Sequence, residues 1–295
     1  MKIKNTEIID TFAEAFTMWS SEIIITAKNN EWALAAAQSI TGFATSVIGC
    51  KCEAGINKKL SSKDTPDQRP GYSVLIFSID KNSLEKRLIE RIGQCVMTCP
   101  TTSCFSGFSL DKSVNVGGAL RYFGDGYQIS KKIKGKRIWR IPVMDGEFVI
   151  DELFGVKESV GGGNFYLLGK SLNQTLIAAK KSIAEIKKIS GCIMPFPNGV
   201  VRSGSKVGSK YKTLPASTNE LYCPTLKGVI DNSSLSENIN CVLEIVIDAI
   251  DYDTLAKSMK VGIKAGATSG IHTITAGNFD GKLGQHKIYL KDLIK

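Results

Sequence analysis

The stretch CVLEIVIDAIDYDTL, residues 241–255, decides the fold. Read as an extended segment, it places Cys241, Leu243, Ile245, Ile247 and Ala249 on one face. Val242, Glu244, Val246, Asp248 and Ile250 fall on the other. Its second part, IDYDTL (250–255), closes a strand and opens a helix, and the chain carries the same device once more as IDKNSL (79–84) after YSVLIFSI (72–79). In that register Leu84, Leu88 and Ile92 correspond to Leu255, Met259 and Ile263, an apolar stripe at i, i+4, i+8.

Working outward, LAAAQSI (34–40) matches IAAKKSI (177–183), so a whole supersecondary pattern is repeated. In the first half, strands are expected at Ile23–Ile25, Phe43–Ile48, Tyr72–Ile79 and Cys95–Thr98. Helices are expected over Trp32–Ile40 and from an Asn82 or Ser83 cap to about Gly93. In the second half, the strands are Asn164–Leu168, Cys192–Pro195, Cys241–Ile250 and His272–Ala276, with helices over Leu172–Ile189 and Thr254–Ala265. Two βαββαβ units predict an α+β protein of two ferredoxin-like lobes, spanning 1–150 and 151–295, with a β-rich insertion over 119–156 between them. A loop-rich insertion spans 197–240. Each sheet then has a helix-free face, which the other lobe, an insertion or a partner subunit must cover.

The composition narrows the function classes. Hydrophobic residues make up 43% of the chain and charged residues 22%, as in a globular protein. No apolar run reaches the roughly 18 residues of a membrane span, and MKIKNTEIID (1–10) has no secretory pattern, so a cytoplasmic protein is expected. The eight cysteines are then expected to be reduced, and Cys50-Lys-Cys52 and Cys95-x3-Cys99-x4-Cys104 lack zinc-ribbon spacing, so no metal site is read. The formal net charge of +10 is spread evenly: residues 1–150 carry 20 basic and 15 acidic side chains, residues 151–295 carry 18 and 13. The run Lys131–Arg137 reads as a solvated hairpin tip. Such a diffuse field suits small anionic substrates. Neither YSVLIFSI nor CVLEIVID carries the aromatic octamer of an RNA-recognition motif, so nucleic acid is not expected as a partner.

Several further segments then carry a resemblance. DTFAEAF (10–16), EAGI (53–56), RIGQCVMTCPT (91–101), FGDGYQ (123–128), GGNFYLL (162–168), SGSKVGSK (203–210), LYCPT (221–225) and AGNFDGKLGQ (276–285) resemble the formylmethanofuran:tetrahydromethanopterin formyltransferase family in order and spacing over nearly the whole chain. The resemblance implies reversible formyl transfer between the amine of methanofuran and N5 of tetrahydromethanopterin. It also implies these two carriers as substrates, no bound prosthetic group, and a homo-oligomer, a dimer or dimer of dimers. Membership of a larger formyltransferase/hydrolase complex is the alternative assembly.

Formyl transfer between two nitrogens needs an oxyanion stabiliser and an acid for the departing amine. Glu244, mid-strand between Val242 and Val246 on the face away from the helices, is the candidate catalytic acid. The residues alone leave a buried ion pair equally open, and the resemblance, which implies a functional glutamate in this strand, favours catalysis. Asn164 and Asn278, in two Gly-Asn-Phe repeats, are candidate amide donors to substrate or else turn residues. Ser205 and Lys206, in the glycine-punctuated loop 203–210, are candidate contacts for an anionic tail, in a loop that could equally be merely flexible. Gln94 and Asp125 are substrate-binding candidates carried by the resemblance.

Overall fold

The computed structural model describes residues 1–295 except Lys134. It is a mixed α+β structure of two lobes built on one large, branched sheet. In the first lobe β1 (Phe12–Thr26), α1 (Asn30–Thr41), α2 (Val47–Cys50), β2 (Glu53–Leu60), β3 (Gly71–Ser78), α3 (Lys81–Arg91) and β4 (Ser103–Ser106) follow in order. The strands lie side by side as β4-β1-β3-β2. A hairpin arm, β5 (Ile129–Ile133) and β6 (Lys136–Val143), continues through β7 (Gly146–Asp151), which joins β4 in parallel. The tip expected in the run 131–137 lies at this hairpin, with Lys134 outside the described residues.

The second lobe repeats the order. β8 (Lys157–Gly169), α4 (Leu172–Ile186), β9 (Cys192–Ile193), β12 (Cys241–Ala249), α5 (Tyr252–Gly266) and β13 (Ile271–Thr275) form a sheet ordered β13-β8-β12-β9. Inside the 197–240 insertion a small hairpin pairs β10 (Ser205–Val207) with β11 (Ala216–Thr218). β14 (His286–Tyr289) and α6 (Leu290–Ile294) end the chain.

The helices start where side chains satisfy free backbone amides. Asp80 caps α3 by accepting from Ser83 N at 2.8 Å, and Asp251 caps α5 by accepting from Thr254 N at 2.8 Å. The cap of α3 is therefore Asp80, ahead of the expected Asn82 or Ser83. The apolar stripes land as the repeat requires: Leu84, Leu88 and Ile92 are fully buried in one core, Leu255, Met259 and Ile263 in the other.

Two expected strands are corrected. Phe43–Ile48 is not a strand, because Phe43 takes a left-handed φ of 47° and Ser46 caps the short helix α2. The second strand of this lobe is Glu53–Leu60. Cys95–Thr98 is not a strand either: the chain leaves α3 through a wide helical turn, Ile92–Val96, with Met97 N bonded to Ile92 O at 2.9 Å, and the fourth strand is Ser103–Ser106.

β1 joins the lobes. Residues 19–26 pair with β3 and 23–26 with β4, while 16–20 pair with β8 and 12–15 with β14. Ile8, Ala13 and Ala15, from the start of the chain, consequently pack into the core of the second lobe. The helix-free faces find the covers that the sequence demanded. Leu75 and Phe77 of β3 meet Met18 and Ile193 at the lobe junction. Tyr166, Leu168 and Val242 are roofed by Tyr222, Leu235 and Ile239 of the insertion.

Because Leu84 and Leu255 fill equivalent places between sheet and helix, Leu84→Ala and Leu255→Ala should each remove about 2–5 kcal/mol of stability. Denaturant unfolding measures this, and a loss below about 0.5 kcal/mol in either would contradict the packing.

Candidate active site

Where the lobes meet, a cleft of about 1040 Å³ opens on the helix-free faces. Its walls come from the first half of β1, the α2 turn, β8, β12, the 203–222 part of the insertion and the loop after β13. Side-chain alternation explains the membership: on β12 the odd residues fill the core beneath the helices, while Glu244 and Val246 face the cleft.

Glu244 sits where three chain segments converge. Across β8 its partner is Tyr166. On its other side Val201 adds a bridge, with Val201 N donating to Glu244 O at 2.8 Å and Glu244 N to Val201 O at 2.9 Å. Burial among these segments pushes the Glu244 carboxyl up to about 7. Burial is the cause of that shift, and among the described residues Glu244 forms no ion pair.

Tyr166 is a residue the sequence reading missed. Its ring stands edge-on to Tyr222, centroids 4.8 Å apart, and the Asn219 side chain lies near its hydroxyl. Burial, together with the Glu244 charge, raises the phenol well above its usual range, so it stays an O–H donor at every working pH. Gly277 is needed there: a Cβ on it would lie 2.4 Å from the Tyr166 hydroxyl. Only its cross-strand register with Glu244 singles Tyr166 out, and register is invisible in a single sequence.

Asn164 and Asn278 both line the cleft, with their amides engaged by the protein. Asn164 accepts from Gly277 N at 2.6 Å and donates to Gly162 O and Gly277 O, each at 3.2 Å. Asn278 donates to Phe12 O at 3.0 Å and Thr11 Oγ1 at 3.2 Å. Their hydrogen bonds hold the wall in shape. Ser205 and Lys206 reach the cleft on β10, and Lys206 pairs with Glu220. Gln94 and Asp125 lie elsewhere: Gln94 is exposed on the turn after α3, and Asp125 is exposed in a left-handed turn before the hairpin arm.

Glu14, also missed, fastens the loop after β13. It is 1% exposed, and its carboxylate accepts from Phe279 N and, at 3.3 Å, from Leu283 N. Among the described residues no group of three or more His, Cys, Asp or Glu is arranged to hold a metal ion.

The cleft thus sets a carboxyl with a raised pKa beside a phenol, two groups chemically able to donate protons to a bound molecule. Comparison with known proteins identifies the family. The family model described as formylmethanofuran-tetrahydromethanopterin formyltransferase matches residues 1–143, and the model of its proximal lobe matches residues 146–293. The chain belongs to this family and is a formyltransferase. It is 53% identical to the Methylococcus capsulatus formylmethanofuran–tetrahydromethanopterin formyltransferase, with both chains covered in full. It is 47% identical to one of the subunits of the formyltransferase/hydrolase complex of Methylorubrum extorquens, over 99% of this chain and 97% of that one. Among solved structures, the Methanosarcina barkeri formyltransferase superposes with a TM-score of 0.93 at 44% identity, both chains covered in full. The Methylorubrum extorquens complex with methylofuran superposes with a TM-score of 0.97 at 46% identity, over 100% of this chain and 99% of that one.

Glu14→Ala should free the loop it holds. Hydrogen exchange at the Phe279 and Leu283 amides should accelerate by about tenfold or more; unchanged protection across 276–285 would remove the fastening role.

Proposed function

We propose that the chain transfers a formyl group between formylmethanofuran and N5 of tetrahydromethanopterin, with Glu244 as the catalytic acid. The observation that carries the assignment of roles is the Glu244 carboxyl, half-buried beside Tyr166 and pushed up to about 7. N5 attacks the formyl carbon, its lone pair forming the new C–N bond while the carbonyl electrons move to oxygen. The oxyanion is stabilised by the Tyr166 hydroxyl. Collapse breaks the old C–N bond, and the Glu244 proton goes to the departing methanofuran nitrogen. N5 gives up its own proton, which restores Glu244, so acid and base are the same group in the two directions. An ordinary carboxylic acid, with a pKa of about 4.3, would be ionised at neutral pH and unable to donate.

The other cleft residues bind and shape. Ser205 and Lys206 meet the polyanionic carriers, while Asn164 and Asn278 set the wall against which the reacting groups lie. Both lobes are ferredoxin-like on this reading, supported by the strand orders β4-β1-β3-β2 and β13-β8-β12-β9. A boundary at 150/151 leaves nearly all of β7 with the first sheet, to which it pairs, while the second family model begins a few residues earlier, at 146.

The protein acts as a cytoplasmic homo-oligomer. No helix among the described residues is long and apolar enough to cross a membrane. The support for association is the arm: β5 is exposed along its length at the end of the sheet, with Tyr122, Phe123, Tyr127 and Met144 exposed around it. Gln94 and Asp125 would serve substrate binding through that association. A second assembly, within a formyltransferase/hydrolase complex, is favoured by the similarity to the Methylorubrum protein, and native mass separates the two.

Glu244→Gln keeps the size and an N–H donor but has no acid proton, so kcat should fall by about 10²–10⁴ with KM for both carriers little changed. In the direction that releases methanofuran, wild-type kcat should decline as pH rises through about 7, because the acid form disappears there. A Glu244→Gln variant with near-normal kcat, and a lowered melting temperature alone, would take Glu244 out of the chemistry.

A further inference from the structure

At the α2 end of the cleft a second pair of carboxyls meets across the lobe junction. Glu53 opens β2 of the first lobe and is 8% exposed, whereas Asp248 lies on β12 of the second and is 0% exposed. Each is tied to the backbone of its own lobe. Glu53 Oε1 accepts from Val47 N, the first residue of α2, at 3.0 Å. Asp248 Oδ1 accepts from Gly162 N at 2.9 Å, at the bulge where the β8 register slips between Val160 and Gly163. Gly162 holds a φ of 82°, and a Cβ on Gly161 would lie 2.8 Å from Asp248 Oδ1. Val47, Gly161 and Gly162 all line the cleft.

The remaining oxygen, Asp248 Oδ2, is buried and receives no hydrogen bond from any donor among the described residues. The Glu53 and Asp248 carboxyls are neighbours, since Ile193, the cross-strand partner of Asp248, packs against Gly55 on the Glu53 strand. Two carboxylates in contact, away from water and with no donor between them, repel strongly. One proton turns the contact into an O–H···O⁻ bond, which is short and charge-assisted.

We propose that Glu53 and Asp248 share one proton across the lobe junction, and that this shared proton positions the α2 turn and the Gly161–Gly162 bulge against each other as the end wall of the formyl-transfer cleft. The pair acts through backbone segments and is a positioning device. It stands whether or not Glu244 delivers a proton to substrate.

The surroundings keep the proton in place. From β9, Ile193 is the cross-strand partner of Asp248, while the Cys192 thiol, opposite Ala249 on the helix side, is raised chiefly by burial. From β8 come only Gly161 and Gly162, with Met18 of β1 beside them, and from α2 comes Val47 N. Glu244 shares the Asp248 face of β12, four residues away. Among the described residues no lysine or arginine pairs with either carboxyl, and burial raises both. The two titrate as a unit. A carboxyl raised in the folded state stabilises the fold fully below the unfolded carboxylate pKa, and that contribution is lost as pH rises through the folded value. Loss of the shared proton therefore belongs to the alkaline side.

The test uses the intact protein and needs no substrate. Infrared spectra of the Glu244→Gln background should keep a protonated-carboxyl C=O band at pH values where ordinary carboxylates are ionised. Adding Asp248→Asn or Glu53→Gln, in which an amide N–H replaces the shared proton, should abolish the band and flatten the alkaline decline of the melting temperature. If one of these variants fails to fold, the other reads the same proton. A band missing from the Glu244→Gln background, or a band and melting profile unchanged by both substitutions, would overturn the proposal.

Discussion

The architecture depends on one strand that pairs with strands of both lobes. Residues 12–26 pair with β14 and β8 at one end and with β3 and β4 at the other, so neither lobe closes without the other. An antiparallel pairing of this kind fixes register and twist together. It sets the helix-free faces of both sheets around a common space, where a βαββαβ unit alone would leave such a face to solvent. The cleft is thus a consequence of how the lobes are fused.

That geometry accounts for the electrostatics. Even-numbered positions of β12 turn away from the helices and would be wet in a lone sheet. Here the 197–240 insertion and the other lobe cover them, and the loss of water raises both the Glu244 and the Asp248 carboxyl. Burial without ionic compensation keeps protons on carboxyls. The same fusion places two carboxyls raised by burial, Glu244 in the cleft and Asp248 at the lobe junction. On the proposed reading Glu244 supplies the acid and the junction pair only positions the cleft wall.

Much of this was legible in the sequence. The period-two alternation of 241–250 assigned Glu244 to the correct face, and the IDKNSL/IDYDTL match located both second helices and their buried stripes. The errors are instructive. EAGINKKL (53–60) hides a strand because its middle is polar and only partly buried, while the apolar Phe43–Ile48 imitates one until the left-handed Phe43 and the Ser46 cap break it. Likewise, nothing local announces that the chain after α3 stays helical for one wide turn through Cys95. For the site, Glu244, Asn164, Asn278, Ser205 and Lys206 come together in the cleft, and Gln94 and Asp125 do not. Tyr166, Glu14 and Glu53 could not be found beforehand. Their importance lies in cross-strand register and long-range contact, which a linear pattern does not encode.

The central claim is that burial holds the Glu244 carboxyl protonated until near neutral pH. Carbon-13 NMR of protein labelled at the glutamate side-chain carboxyl, with Glu244→Gln to assign the resonance, follows that one group directly. The account predicts a Glu244 titration midpoint of about 7. A midpoint in the ordinary carboxylate range, about 4.3, would contradict it.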